Sequence, residues 1–328
     1  MSDRRARVFF FAKLAVAGLL IGWLVKGGQL DFRALHIFIE RPLLLAFNLG
    51  LFFFGACIGS LRYQVLLRIV DVRVPFSKLF MLQMTAFFFN VVVPGNIGGD
   101  VVKALYVARD AAPEKRTTIL LLTFVERLLG VSALIFVGAL AVGSSSTVWS
   151  TPLLRPMGTA VVALGAAVVV GGVVALVAVR TLGAKLDGWT TGPSKISKLL
   201  NQLVASMRLV SSAPRHIAAA LFLSMLFHVG GIGLFTALAR AILVQEDLSY
   251  FAVATVFPLG LLSLLLPISP AGLGVGHIAF KRLFEAIGIE GGATVFNVYA
   301  LGQNTPALLG VFPFLSFRKR KELPTEAA

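Results

Sequence analysis

The sequence predicts an all-α fold, a polytopic integral membrane bundle of helices. Three observations carry that expectation. Of 328 residues, 57% are hydrophobic and only 14% are charged, where a soluble domain carries about 25%. The mean hydropathy is +0.89. Apolar runs recur from end to end with no long soluble block between them, so 1–328 reads as one transmembrane domain with its core at 8–317.

A helix needs about 20 apolar residues to cross the hydrocarbon. Seven runs meet that need: Val8–Val25, Leu43–Leu61, Thr117–Val142, Met157–Val179, Ile217–Leu238, Phe251–Ile268 and Ala293–Phe317. Phe80–Val93 and Gly272–Ile287 are shorter or broken. The expected total is about seven to eight crossings with two re-entrant or broken segments.

Orientation follows from the basic loops, which stay on the cytoplasmic side. Arg4, Arg5 and Arg7 place the N-terminus inside. The first span is read as uncleaved, because Ala15-Val16-Ala17 lies within the apolar run and not after it. Arg62, Arg68, Arg73 and Lys78 precede Phe80–Val93, and Lys103, Arg109, Lys115 and Arg116 follow it. Both ends of that short segment therefore lie on one side, which predicts a re-entrant hairpin. Such backbone survives at membrane depth only where protein or a wet cavity covers it.

Residues 180–215 are predicted to form a basic cytoplasmic loop. Within it Ile196, Leu199, Leu200, Leu203, Met207 and Val210 fall at helical spacing, as in an amphipathic surface helix. Residues 318–328 form a basic tail, expected inside. The net charge of +15 is thus a topology signal first and an attraction to anionic lipid second. No nucleic-acid module is present. The single cysteine, Cys57, excludes an intrachain disulfide and a cysteine-based zinc cluster. No cofactor is expected.

Two breaks look alike. Pro94-Gly95-Asn96-Ile97-Gly98-Gly99-Asp100 and Pro270-Ala271-Gly272-Leu273-Gly274-Val275-Gly276 both read Pro-x-x-[Ile/Leu]-Gly. Each joins an apolar run to a helix with basic residues, Lys103 and Arg109 in one and Lys281 and Arg282 in the other. Proline ends a helix and glycine turns the chain tightly. The next helix then begins with free N–H groups that favour an anion. Matched Gly/Pro interruptions in two halves of a chain point to a transporter's binding site. The first break lacks the Gly-Lys-Ser/Thr ending of a nucleotide loop.

Glu126-Arg127 falls near the middle of its span, where ionisable groups are costly and face an interior or a cavity. Residues at i and i+1 do not face each other on a helix. Separate partners are therefore expected, Lys103 for Glu126 and Asp100 for Arg127, with a lipid phosphate as the other partner open to Arg127. Asn90 and the stretch Gln303-Asn304-Thr305-Pro306, which interrupts the last span, are expected to line or cap the cavity, and mid-span His228 to bridge helices. No metal motif, nucleophile elbow or Cys/His pair marks an enzyme.

The run Asn-x-x-x-Pro-Gly-x-x-Gly-Gly-Asp at Asn90–Asp100, Glu126-Arg127 and Pro-x-Gly-Leu-Gly-Val at Pro270–Val275 together resemble the lysylphosphatidylglycerol synthase transmembrane-region family, also called flippase-like domain proteins. The resemblance runs roughly from Val8 to Phe317. It implies a membrane domain that moves a modified phospholipid between leaflets and that can be fused to a cytosolic aminoacyl-lipid synthase. This chain stops eleven residues after Phe317, so aminoacyl transfer is not implied. The family often has Arg where Lys103 stands and Glu near His277. A fixed negative charge at that second place is therefore in doubt, and a pH-sensitive step is possible in its stead.

The resulting expectation is translocation of a polar-headed or anionic lipid across the inner (plasma) membrane. Asn96, Gly98, Gly99 and Lys103 are expected to meet the headgroup phosphate, and Asp100, Glu126 and Arg127 to line and gate the cavity. Pro270, Gly272, Gly274, Gly276 and His277 form the opposite wall, with Asn90 and Pro94 at the first break. The two hairpins are expected to be cytoplasm-facing or to lie at the midplane. The alternatives are an accessory subunit for a lipid or glycan biosynthesis enzyme, docked through the basic surface helix, and an intramembrane headgroup enzyme using Asp100, Glu126 and His277.

Overall fold

The computed structural model describes residues 36–92, 98–152, 154–189, 205–264 and 273–322. The expected span Val8–Val25, Pro94, Asn96, Pro270, Gly272 and most of the predicted surface helix lie outside the described residues. All the regular structure described is helical. The main helices are α1 (Pro42–Leu67), α2 (Phe76–Val92), α3 (Gly98–Asp110), α4 (Arg116–Gly143), α5 (Arg155–Trp189), α6 (Pro214–Leu243), α7 (Tyr250–Ser263), α8 (Leu273–Glu285), α9 (Gly292–Ala307) and α10 (Val311–Glu322).

Their boundaries have local causes. Pro42 and Pro214 sit at the first helical positions of α1 and α6, where the missing N–H costs nothing. The Ser249 hydroxyl accepts the Phe251 N–H at 3.2 Å and caps α7. Gly288 and Gly291 take φ of 76° and 90° in the turn from α8 to α9, a region that favours glycine.

Among the described residues, α1, α4, α5 and α6 are long and apolar enough to cross a membrane. Two buried cores mark the two ends of the bundle. At one end Leu66 and Leu67 of α1, Leu79 of α2, Val107 of α3, Ile119 of α4 and Ala220 of α6 pack together. At the other, Leu134 of α4 and Phe235 and Leu238 of α6 pack with Val253 of α7, Phe284 of α8 and Val295 of α9. We call these the first and second ends.

The α2–α3 pair is an antiparallel hairpin. Asp110 meets Lys78 at its open end, at 2.6 Å. Lys103 meets Gln83 midway, at 3.0 Å. Near the tip, the Asn90 Oδ1 accepts the Gly99 N–H at 2.9 Å. A Cβ on Gly99 would stand 1.9 Å from the Ala86 carbonyl oxygen, so only glycine allows this approach. At about 1.5 Å per residue, α3 is roughly 20 Å long, too short to cross about 30 Å of hydrocarbon. The re-entrant form expected for this segment is present.

The second hairpin corrects the sequence reading. Phe251–Ile268 was expected to be a full span, but α7 stops at Ser263 after 14 residues. The chain turns back as α8, a single helix within the segment Gly272–Ile287 that was read as shorter or broken. Gly260 faces the Phe280 ring, and Gly276 faces Leu264 and Phe296, which makes α7 and α8 antiparallel. The first hairpin opens at the first end of the bundle and the second opens at the second end. The hairpins therefore enter from opposite ends and are not both cytoplasm-facing. The cause is parity: α4, α5 and α6, three long helices, separate them.

The chain returns through α9 and α10. A tight turn at Leu308–Gly310 joins them, and Phe317 packs on Tyr106 at the first end, with ring centroids 5.5 Å apart. Helix α5 continues to Trp189, so the first ten residues of the expected 180–215 loop are helical. At the far side of that loop, residues 205–211 form a helical turn with Met207 exposed and Val210 against the bundle.

Candidate functional site

Helices α1, α3 and α4 bring a charged cluster into the bundle. Glu126 is 2% exposed and Lys103 1%. Glu126 Oε2 accepts from Lys103 Nζ at 2.8 Å, and Oε1 accepts from Arg62 Nη2 at 3.0 Å and Nε at 3.3 Å. Lys103 also donates to Gln83 Oε1 at 3.0 Å and sits 4.6 Å over the Tyr63 ring. Arg62 Nη1 reaches the Ser224 hydroxyl on α6 at 2.9 Å.

Arg127, one step around α4, pairs with Asp100 Oδ2 at 3.2 Å, both about a quarter exposed. Each acid and base expected to meet across α3 and α4 does so. The cluster contains three cations (Arg62, Lys103, Arg127) and two carboxylates (Asp100, Glu126).

Two placements differ from expectation. Arg62 was taken as a loop cation, but α1 runs through it and turns it inward. The clue was its position one and a half turns before the end of an apolar helix. Lys103 was expected at a headgroup phosphate. Protein encloses its ammonium, and Glu126, Gln83 and the Tyr63 ring occupy its donors. Gln83 was also missed. It lies two turns before Asn90 on α2, hence on the same helix face, and polarity recurring at seven residues was the available signal.

A cavity of about 310 Å³ lies beside the last turns of α2 and the C-terminal end of α7, within the range of ligand sites. Asn90, Phe87 and Val91 line it from the first hairpin and Leu264 from the second. Tyr299, Gln303 and Asn304 of α9 line the opposite side. It is roughly 10 Å from the charged cluster, the length of the Gln83-to-Asn90 segment. Buried Asn48 organises the α9 wall: its amide donates to the Gly302 carbonyl at 2.8 Å, and its Oδ1 accepts from Gln303 Nε2 at 2.8 Å.

Gly98 opens α3 beside Gly99. Gly274 and Gly276 lie in the first turn of α8. His277 donates to Asn297 Oδ1 on α9 at 3.3 Å and packs edge-on against Phe296. Each hairpin is thus tied to the helix after it, the first by ion pairs and the second by contacts that include this hydrogen bond. His228 Nε2 donates to the Gly130 carbonyl at 2.9 Å, joining α6 to α4.

Comparison with known proteins fits this architecture. A UPF0104 membrane protein of Methanothermobacter thermautotrophicus is 34% identical over 108 residues, 33% of this chain and 30% of that protein. The match thus spans less than a third of that relative's length. No solved structure matches significantly. The family model described as lysylphosphatidylglycerol synthase TM region matches residues 10–298, which takes in both hairpins and the charged cluster. The protein is a multi-pass membrane protein and belongs to the lysylphosphatidylglycerol synthase TM region family.

Proposed function

We propose that the protein moves a polar-headed or anionic lipid between the leaflets of the cell's inner membrane, without making or breaking covalent bonds. One observation carries this reading: two broken hairpins enter from opposite ends, and the last turns of α2 and Leu264 at the end of α7 line one cavity. Inverted, interrupted segments meeting near the midplane are the architecture of secondary transporters. The family name, which ties this membrane region to enzymes of lysylphosphatidylglycerol, supports a lipid as cargo.

In this reading the headgroup enters the cavity while the acyl chains stay in the bilayer. The cluster carries one positive charge in excess, from Arg62 and Lys103 around Glu126, and that excess draws the phosphate toward the more exposed Arg127–Asp100 pair at its edge. The first end, with Lys78, Lys115 and Arg116, faces the cytoplasm, and the N-terminus lies on that side.

The test is transfer in proteoliposomes. Tail-labelled lipids of several headgroups are placed in both leaflets, and a membrane-impermeant quencher reads how fast the inner pool becomes accessible. Transfer above that of protein-free vesicles is expected for at least one anionic or polar headgroup. Rates equal to protein-free vesicles for every headgroup would refute transport and favour the accessory-subunit alternative.

A further inference from the structure

The cavity beside α2 and α7 has a chemistry of its own. Among its described lining residues none is charged, and four are neutral and polar: Asn90, Tyr299, Gln303 and Asn304. Their hydrogen-bonding capacity is only partly used. Asn90 Oδ1 accepts from Gly99, which leaves its amide N–H groups. Gln303 donates to Asn48, which leaves its carbonyl oxygen. Neither the Asn304 amide nor the Tyr299 hydroxyl has a hydrogen-bond partner among the described residues. The remaining walls are apolar, and Phe52, Phe87, Phe227 and Phe296 give them aromatic faces.

Unpartnered amides in a membrane interior are costly, so this lining calls for a ligand or water that both donates and accepts. An ammonium only donates and would meet no carboxylate here. A phosphate only accepts and would meet no cation. A trimethylammonium would suit the aromatic walls, but it can neither donate nor accept, and all four polar groups would stay unpaired. A hydroxyl does both, and the C–H faces of a sugar ring or glycerol pack on aromatic rings. Resting on the transport reading, we infer that this cavity recognises an uncharged, hydroxyl-bearing headgroup portion, either glycosyl or glycerol.

The experiment uses the full-length protein and lipids with identical labelled tails. The headgroups are glucosyl-diacylglycerol, phosphatidylglycerol, phosphatidylethanolamine and phosphatidylcholine. A parallel arm measures binding of short-chain glucosyl, glycerol, ethanolamine and choline lipids in detergent by calorimetry. The two hydroxylated classes are distinguished by which of them leads. At least one is expected to bind and move about tenfold better than the amine and choline lipids. Asn304→Leu is expected to reduce that preference about fivefold. Asn304→Ala and a melting curve guard against a folding effect.

Equal or better binding and transfer of ethanolamine or choline lipids would overturn the inference and leave transport standing. Preferential hydroxyl binding without transfer would uphold the inference and remove the transport reading. No binding and no transfer would remove both.

Discussion

Replacing Glu126 by Gln tests how the bundle is held together. Two cations converge on this one carboxylate, each through its own oxygen. The substitution keeps the shape and removes the charge. It also creates a conflict of donors: whichever way the amide turns, its N–H groups face either Lys103 or Arg62. Buried Lys103 and half-buried Arg62 then lie without an anion between them. Removing one partner from a buried ion pair costs about 3–5 kcal/mol, and the retained carbonyl oxygen puts this change near the lower figure. Three helices, α1, α3 and α4, lose their common anchor. Lys103→Met should cost roughly half as much, because it leaves Arg62 and Glu126 as a balanced pair. Adding Lys103→Met to Glu126→Gln should recover about 1–2 kcal/mol. Unfolding in detergent can be followed by a thiol-reactive dye, since Cys57 is the sole cysteine. A fall in Tm of roughly 5–10 °C is expected for Glu126→Gln. If Glu126→Gln melts with the wild type, or if the double variant is worse than either single one, the cluster does not carry this load.

Other expectations follow from the same contacts. Gly99→Ala should abolish the folded hairpin or reduce stability by about 3 kcal/mol or more, because its Cβ would lie 1.9 Å from the Ala86 carbonyl; a normal elution profile and melting curve would contradict this. Gly171→Ala, with nothing within 4 Å of the new Cβ, should be neutral or raise stability by about 0.5 kcal/mol, read in the same melt. Asn48→Leu should cost about 2 kcal/mol, since the Gly302 carbonyl and the Gln303 amide lose their shared partner. Arg127→Ala should slow lipid transfer about tenfold; an unchanged rate would take Arg127 out of the transport path.

Much of this was legible in the sequence, for identifiable reasons. Basic residues on both sides of Phe80–Val93 report where its ends lie, and that suffices to expect a hairpin. Two ionisable neighbours at mid-span must turn apart, so Glu126 and Arg127 needed two partners, and Lys103 and Asp100 on the helix after the first break offered the opposite charges. The second hairpin was expected, but its first arm was hidden because apolarity does not mark where a helix stops. Phe251–Ile268 is apolar throughout, yet α7 ends at Ser263. Once that run is taken as a full span, the parity error also hides the opposite entry of the two hairpins. Arg62 was hidden because a cation near a helix end looks the same whether it faces water or a buried carboxylate. The cavity lining draws on α1, α6, α7 and α9, and no local pattern announces contacts that distant in the chain.

Helices α3 and α8 are each about 20 Å long and run in opposite directions, α3 toward the first end of the bundle and α8 toward the second. Together they cover about 40 Å, the thickness of a bilayer with its headgroups. In the transport reading proposed above they act as one transmembrane element cut at its midpoint, with each half anchored to a different end of the bundle. Such a cut span would have two independent seals: one half would tilt aside to open its own end while the other half remained as the floor. On that reading the long helices need not move, and no continuous water path from end to end ever has to form.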